Sequence, residues 1–232
     1  MAVVIRNSPA TLKRTSGTRL VSRATSVTPG GQGRLYLISK RVFDLAVSLM
    51  LMPFILPAIA LGGLALWFEN SGPIFFTQLR TGRGGRRFRM YKLRSMVTNA
   101  EELKLQLRHL NELTWPDFKI CNDPRVTRVG GILRKTSVDE LPQIFNVIRG
   151  DMSLVGPRPT SFSANTYTMW QTERLEVPPG ITGLWQVSGR SGVDFDDRLR
   201  LDIEYIRKRS FWFDIKLILR TFTAVAKSKG AW

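Results

Sequence analysis

The chain has 232 residues, of which 43% are hydrophobic, and it carries 35 lysines and arginines against 18 aspartates and glutamates. This length predicts one domain with an extension, and the net charge of +17 indicates a membrane surface or a phosphate-bearing partner. A single Cys and a single His exclude a disulfide framework and a Cys/His zinc site, so oxygen must hold any metal, which favours Mg²⁺.

The N-terminal region is basic and lacks acidic residues. Residues 1–34 are rich in Ser, Thr, Gly and Arg, a composition that predicts disorder. We therefore expect residues 1–39 to form a disordered basic extension. The same composition is typical of an organelle transit peptide, and that alternative stays open.

An apolar segment follows, in which residues 45–68 carry no charge. As a helix it is long enough to cross a bilayer core of ~30 Å. However, Pro53 and Pro57 interrupt it, and both of its flanks are strongly basic. We expect residues 40–71 to form a re-entrant helix-break-helix, with helices at 42–52 and 58–68 and both ends at the cytoplasmic face. A proline-kinked spanning helix is the alternative.

The pattern of the remaining residues predicts a small α/β unit. Residues 74–79 and 87–94 predict a basic β-hairpin around a Gly-rich turn. Residues 99–113 and 136–149 predict helices, and the second of these has Gly150 just beyond its end. The Gly-rich turn is not a phosphate-binding P-loop, because it lacks the Gly-Lys-Ser/Thr ending.

The C-terminal region, residues 197–227, is amphipathic in both of its halves, and the second half predicts an amphipathic helix. Lys216, Arg220, Thr223 and Lys227 form one polar stripe, and aromatic and aliphatic residues occupy the other faces. This pattern is typical of a helix that lies in the membrane interface. An ordinary core helix with a solvated cationic stripe fits equally well.

Residues 136–143, Thr-Ser-Val-Asp-Glu-Leu-Pro-Gln, hold two neighbouring carboxylates. Ser137 and Glu140 have the spacing of a capping box, so these residues could serve only to begin a helix. Alternatively, Asp139 and Glu140 lie beside free N–H groups in a first helical turn, which attracts phosphate. Because neighbouring side chains on a helix point about 100° apart, we expect one carboxylate to act as nucleophile and the other as metal ligand.

Cationic residues suited to phosphate surround this pair in the sequence. They are Arg86, Arg87, Arg89, Lys92, Arg94, Arg125, Arg128, Arg134, Lys135 and Arg158. Arg158 stands in Gly-Pro-Arg-Pro, whose rigid backbone orients one guanidinium. Their density indicates a pyrophosphate-containing substrate.

Taken together, several ordered motifs resemble the bacterial sugar transferase family, the monotopic phosphoglycosyl transferases. The similarity covers about residues 40–232. Its motifs are Lys-Arg-Val-Phe-Asp at 40–44, Gly-Pro-Ile-Phe-Phe at 72–76, Met-Tyr-Lys-Leu-Arg-Ser-Met at 90–96, Asp-Pro-Arg-Val-Thr-Arg-Val-Gly at 123–130, Asp-Glu-Leu-Pro-Gln at 139–143, Arg-Gly-Asp-Met-Ser-Leu-Val-Gly-Pro-Arg-Pro at 149–159, Pro-Gly-Ile-Thr-Gly-Leu-Trp-Gln at 179–186 and Gly-Ala-Trp at 230–232. Each motif is weak alone, but their order is specific.

The resemblance implies a membrane-associated α/β fold in which a re-entrant helix and interfacial amphipathic helices carry a small catalytic core, residues 72–232. It implies transfer of a sugar 1-phosphate from a UDP-sugar to polyprenyl (undecaprenyl) phosphate with release of UMP, at the cytoplasmic face of the inner membrane. This is the first membrane step of exopolysaccharide, capsule or O-antigen assembly. Only about 39 residues precede the matched region, which implies the short form of the family.

The resemblance also implies residue roles. Asp139 matches the nucleophile that forms a phosphosugar-aspartyl intermediate, and Glu140 matches its Mg²⁺-binding partner. Lys92 matches a catalytic position, and Arg134 and Arg158 match phosphate-handling positions, to which we add Arg94. Asp214 matches a further important position.

Three alternatives stay open. A membrane-tethered basic module could bind nucleic acid or anionic lipid, although the aromatic residues do not interleave with the basic ones, so we expect no nucleic-acid partner. A metal-independent transferase could use Asp139 as a base. A homodimer is also open, and no residue identifies the sugar.

Overall fold

The computed structural model describes residues 33–112, 118–188 and 194–226. Its elements, in chain order, are α1 (Arg34–Glu69), β1 (Phe75–Thr81), β2 (Arg87–Leu93), α2 (Ala100–Gln106), α3 (Arg128–Lys135), α4 (Gln143–Arg149), β3 (Ser153–Val155), β4 (Gly180–Thr182), α5 (Leu184–Ser188), α6 (Phe195–Lys208) and α7 (Phe211–Ala226). Most of the predicted basic extension, Lys227 and the C-terminal Gly-Ala-Trp lie outside the described residues.

Helix α1 is continuous from Arg34 to Glu69 and contains both Pro53 and Pro57. It therefore begins earlier than Lys40, and it replaces the two predicted helices at 42–52 and 58–68. A proline removes one helical hydrogen bond and kinks a helix, but it does not have to end it. By length and composition α1 can cross a membrane, and only 17% of its most apolar window is buried.

Both ends of α1 contact the same folded body. Near its start, Tyr36 Oη and Lys40 Nζ donate hydrogen bonds to Asp214 Oδ2 over 3.1 and 2.8 Å. At its end, Glu69 Oε1 accepts a hydrogen bond of 3.0 Å from the backbone N–H of Val129. The helix thus lies along the body rather than projecting away from it.

The predicted hairpin is confirmed. Strands β1 and β2 pair antiparallel, with Phe76 opposite Lys92 and Arg80 opposite Phe88. The turn between them needs positive φ at Gly84 (63°), a conformation that glycine adopts without steric cost. A second, parallel pair joins β3 to β4.

The two sheets and the helices enclose one large apolar cluster and one smaller one. The large cluster contains Phe88, Met90, Ile144, Val147, Met152, Leu154, Val155, Val177, Leu184, Tyr205, Ile206 and Leu217. The smaller cluster, Ile59, Leu66, Leu93 and Leu133, fastens the C-terminal half of α1 to β2 and α3. The described residues therefore form a mixed α/β fold with a long apolar helix on its surface.

Helix α7 packs one face in the core and exposes apolar side chains on another. Leu217 is fully buried in the large cluster, whereas Trp212, Leu219 and Phe222 are exposed. The start of α7 meets α1, where the rings of Phe211 and Phe43 pack edge to face at 5.1 Å. An apolar face on both neighbouring helices fits association with a membrane.

Two predicted helices are shorter than expected. The segment 99–113 forms α2 followed by a 3₁₀ turn at Leu107–Leu110. The segment 136–149 forms a 3₁₀ turn at Val138–Glu140 before α4 begins at Gln143. Gly150 ends α4 with a positive φ of 90°, as predicted.

Candidate active site

Asp139 and Glu140 lie in the 3₁₀ turn that precedes α4. Ser137, just before the turn, has φ 60°, and it is the only residue other than glycine with positive φ in the described part of the chain. Its side chain caps nothing. The capping-box interpretation is therefore wrong, and the left-handed residue instead joins the end of α3 to the turn that carries the two carboxylates.

Glu140 joins two cations from distant elements. Its Oε1 accepts hydrogen bonds from Lys92 Nζ and Arg158 Nη2, each over 2.7 Å. Burial opposes ionisation of Glu140, but Arg158 and Lys92 outweigh it and hold the pKa of this carboxyl well below its usual range. Glu140 is thus a permanent anion that positions both cations.

Asp139, unlike Glu140, lies in an environment that raises the pKa of its carboxyl group. Its side chain is buried, and burial raises its pKa although Lys92, Arg134 and Arg158 act in the other direction. It forms no ion pair with another described residue, and it lines a cavity of about 690 Å³. A carboxylate that is desolvated but not consumed by a salt bridge suits nucleophilic attack.

The cavity has the volume of a typical small-molecule site and a cationic lining. Its basic residues are Arg80, Lys92, Arg94, Lys104, Arg125, Arg134, Arg158, Arg174 and Arg198. The acidic residues of the lining are Glu101, Asp139 and Asp202. This excess of positive charge suits a di-anionic or tri-anionic ligand.

The predicted phosphate-binding arginines reach the cavity from different elements. Arg134, on α3, donates from Nε to Ser95 Oγ over 2.8 Å. Arg94 donates to the carbonyl oxygen of Asn70 over 2.5 Å and thereby ties β2 to the chain just beyond α1. Its Nη1 is buried without a hydrogen-bond partner among the described residues. The structure therefore brings Lys92, Arg94, Arg134 and Arg158 to one cavity.

An ion pair that sequence reasoning missed supports Arg158. Arg174 Nη2 donates to the backbone carbonyl of Arg158 over 2.6 Å and to Asp202 Oδ2 over 2.5 Å. Both side chains of this pair are almost fully buried. The pair joins residues 28 positions apart, so no local pattern could have revealed it.

Asp214 lies away from this cavity, since it is not one of the lining residues. Its carboxylate is buried and accepts hydrogen bonds from Tyr36, Lys40 and Tyr205. It thus joins α1 to the C-terminal helices. The structure assigns it to the attachment of α1.

A magnesium ion was the predicted cofactor. No group of three His, Cys, Asp or Glu lies together within the described ranges. Asp139 and Glu140 are nevertheless adjacent carboxylates at the cavity, and Mg²⁺ typically uses one or two carboxylates together with substrate phosphates and water. The donor set thus fits an ion that binds with its substrate.

Comparison with protein families shows that residues 35–228 match the family described as bacterial sugar transferase. The chain is 45% identical over 205 residues to the galactosyl transferase CpsE of Streptococcus agalactiae serotype III, covering 84% of this chain and 44% of the relative. It is 42% identical over 201 residues to the undecaprenyl-phosphate galactose phosphotransferase of Salmonella typhimurium, covering 83% of this chain and 41% of the relative.

A shorter relative is matched over most of its length. The exopolysaccharide production protein ExoY of Sinorhizobium fredii is 36% identical over 200 residues, which cover 84% of this chain and 88% of the relative. By contrast, this chain spans less than half the length of the first two relatives.

Proposed function

The chain belongs to the bacterial sugar transferase family, and on that premise we propose that it transfers a sugar 1-phosphate from a UDP-sugar to undecaprenyl phosphate and releases UMP. The names of the relatives support these substrates. The single observation that carries the proposal is the buried Asp139 carboxylate in a cationic cavity, next to the ion-paired Glu140.

In the first displacement, a carboxylate oxygen of Asp139 attacks the β-phosphorus of the UDP-sugar. A bond forms between this oxygen and phosphorus, and the bond between phosphorus and the bridging oxygen breaks. The bridging oxygen leaves with the α-phosphate as UMP. The product on the protein is an acyl phosphate, a mixed anhydride of Asp139 and the sugar phosphate, so no proton has to move in this step.

In the second displacement, a phosphate oxygen of undecaprenyl phosphate attacks the same phosphorus. The bond to Asp139 breaks and its carboxylate is regenerated. The lipid then carries a diphosphate-linked sugar. Covalent catalysis lets two bulky anions use one site in turn, so they never need to bind together.

The cations of the site stabilise charge during both displacements. Lys92 and Arg158 are held by Glu140 Oε1, and Arg134 is held by Ser95. Because these contacts exist before substrate binds, little reorganisation is needed when negative charge develops on the transferred phosphoryl oxygens. Glu140 thus acts through the cations that it positions.

We include Mg²⁺ in the proposal. Asp139 and Glu140 would hold it, and when bound it would supply further positive charge beside the phosphoryl group. The test is a metal titration of UMP release. Glu140→Gln is expected to raise the Mg²⁺ concentration needed for half-maximal rate, and an unchanged titration would remove Glu140 from metal binding.

The proposal extends to topology. Because Lys40 and Glu69, near opposite ends of α1, both bind the same folded body, a perpendicular crossing would place that body inside the bilayer. A re-entrant helix with both ends at the cytoplasmic face avoids this. Such a helix would embed the exposed side chains of α1, for example Met50 and Phe54, in one leaflet.

The relative named for exopolysaccharide production supports a place at the start of polysaccharide assembly. A lipid-linked sugar diphosphate is the product of the proposed reaction, and glycosyl transfer to that sugar would consume it. The proposal includes membrane lipid as a partner and no nucleic acid.

The experiment uses the full chain in lipid nanodiscs with a panel of UDP-sugars and no lipid acceptor. We expect about one equivalent of UMP and a sugar-phosphate adduct in the intact mass spectrum. Asp139→Asn should abolish both. Asp197→Asn, which removes a carboxylate that is exposed on α6, is the matched control and should behave as the wild type.

UMP release by Asp139→Asn at the wild-type rate would show that Asp139 is not the nucleophile. Turnover with lipid acceptor but without an adduct would favour direct transfer with Asp139 as a base. Salt-dependent DNA binding without turnover of any UDP-sugar would favour the basic binding module.

A further inference from the structure

Arg80 is a cation of the cavity that the mechanism above leaves without a role. It lies on β1, and its Nη2 donates to Gln78 Oε1 over 2.5 Å, while its Nη1 donates to the carbonyl of Pro159 over 3.4 Å. Its Nε is buried and has no hydrogen-bond partner among the described residues. Among the described residues, the guanidinium thus has only neutral hydrogen-bond partners and spare donor capacity.

Four other cations of the lining are neutralised by carboxylates. Lys92 and Arg158 pair with Glu140, and Arg125 and Arg174 each pair with an aspartate. Within the described ranges, Arg80 forms no such pair. A cation that is withdrawn from water without a counter-ion is costly, and a bound anion would remove that cost.

The charged groups next to Arg80 also favour a bound anion. Burial, together with the neighbouring Arg158, lowers the pKa of Arg80 to about 10, so both guanidinium groups are charged at neutral pH. Two adjacent cations repel each other, and Glu140, which pairs with Arg158, offsets this repulsion at Arg80 only in part. This arrangement favours a phosphate ligand over a neutral one.

The position of Arg80 relative to Asp139 decides which phosphate it can meet. Lys92 binds Glu140, the chain neighbour of Asp139, whereas Arg80 forms no hydrogen bond with either carboxylate among the described residues. Arg80 instead neighbours Arg158, whose proline neighbour accepts its hydrogen bond. Arg80 therefore lies next to Arg158 in the lining of the cavity, whereas Lys92 lies next to Glu140.

The strand geometry separates Arg80 from Lys92 along the hairpin. Side chains alternate along a strand, so Phe76, Gln78 and Arg80 share one face of β1, and Lys92 is opposite Phe76. Four residues of strand separate the positions of Lys92 and Arg80 by about 13 Å. Arg80 thus enters the cavity from a strand position about 13 Å from that of Lys92, which suits a second phosphate rather than the one beside Lys92.

An in-line displacement places the entering and leaving groups on opposite sides of phosphorus. Asp139 occupies one side in both proposed steps. UMP leaves from the other side, and undecaprenyl phosphate must later attack from that same side. The two phosphate monoesters therefore occupy one position in turn, opposite Asp139.

We propose that Arg80 binds the phosphate monoester at this position: the α-phosphate that leaves as UMP, and then the phosphate of undecaprenyl phosphate. The inference rests on the proposed function and deepens it. Arg80 stabilises the leaving group in the first displacement and orients the attacking oxygen in the second.

The test compares Arg80→Gln with Arg83→Gln in nanodiscs. Arg83 is exposed in the turn of the same hairpin and does not line the cavity, so its variant loses the same charge elsewhere. Calorimetry measures the affinity for UMP alone. A second assay starts from isolated phosphosugar adduct and measures the KM for undecaprenyl phosphate.

We expect Arg80→Gln to weaken UMP binding and to raise this KM by about tenfold or more, as is typical for loss of hydrogen bonds to a charged group. Arg83→Gln should change neither value by more than about twofold. Arg80→Met, which keeps most of the side-chain volume, gives the same comparison if Arg80→Gln does not fold.

The outcomes separate this inference from the proposed function. If the wild type binds no UMP and releases none from any UDP-sugar, the proposed function fails. If the wild type does both and the Arg80 variants bind UMP equally well, only the role of Arg80 fails. Weaker UMP binding with an unchanged KM for undecaprenyl phosphate would overturn the shared position.

Discussion

Asp139 and Glu140 are adjacent in the chain, yet their carboxyl groups have opposite ionisation preferences. Burial raises the pKa of Asp139, whereas the salt bridges from Arg158 and Lys92 outweigh burial and lower the pKa of Glu140. The 3₁₀ turn makes this possible, because it directs one side chain into the cavity and the other to the cations. The pair thus divides into a nucleophile and a positioning anion.

The pH dependence of UMP release tests this division. Asp139 must be ionised to attack, so the rate should fall as the pH drops through its raised pKa. Lys92 lowers that pKa, so Lys92→Met should reduce the rate and also move the acid limb of the kcat/KM profile to higher pH. Arg83→Gln should leave the limb in place. An acid limb at one pH in all three proteins would contradict the prediction.

The buried Arg174–Asp202 pair should matter for stability and for the site. Asp202→Asn leaves Arg174 as an uncompensated buried cation, which is expected to cost about 3–5 kcal/mol in the free energy of unfolding. Asp197→Asn removes the exposed partner of Arg200 on the same helix and should cost less than about 1 kcal/mol. Denaturant titrations in detergent measure both. If the Asp202→Asn variant were as stable as the Asp197→Asn variant, the Arg174–Asp202 pair would not hold the Arg158 backbone.

Two neighbouring glycines of α3 should respond differently to alanine. A Cβ on Gly130 would overlap the backbone oxygen of Ser95, whereas the nearest atom to a Cβ on Gly131 is a methyl group of Val126 at 3.9 Å. Gly130→Ala should push α3 away and displace Arg134, so both stability and UMP release should fall. Gly131→Ala should be neutral or stabilising by about 0.4–1 kcal/mol. Thermal unfolding of both variants measures the difference in stability. Equal unfolding temperatures would argue against the close approach of Gly130 to the backbone of Ser95.

Cysteine labelling tests the topology. After Cys121→Ser removes the exposed natural thiol, single cysteines at the exposed Leu35 and Ser71 report the two ends of α1. A membrane-impermeant reagent should label both in inside-out vesicles and neither in intact cells. Labelling of the two positions from opposite sides would establish a spanning helix.

Several features could be predicted from the sequence because their causes are local. Alternating residues around a Gly-rich turn predict the hairpin, and Gly150 predicts the end of α4. The proximity of Asp139 and Glu140 follows from their adjacency. The long uncharged run predicts an apolar helix, although its two prolines do not divide it into two helices.

Only the tertiary structure decided how the charged side chains of the site ionise and pair with one another. Ionisation depends on burial and on charges brought from distant positions, so the opposite pKa shifts of Asp139 and Glu140 follow only from the fold. The Arg174–Asp202 pair arises in the same way, and so does the lack of an ion pair at Arg80 among the residues that the structure describes. Sequence determined which charged groups are available, because composition and spacing are local. Folding determined which of them are neutralised, because that depends on distances between segments far apart in the chain.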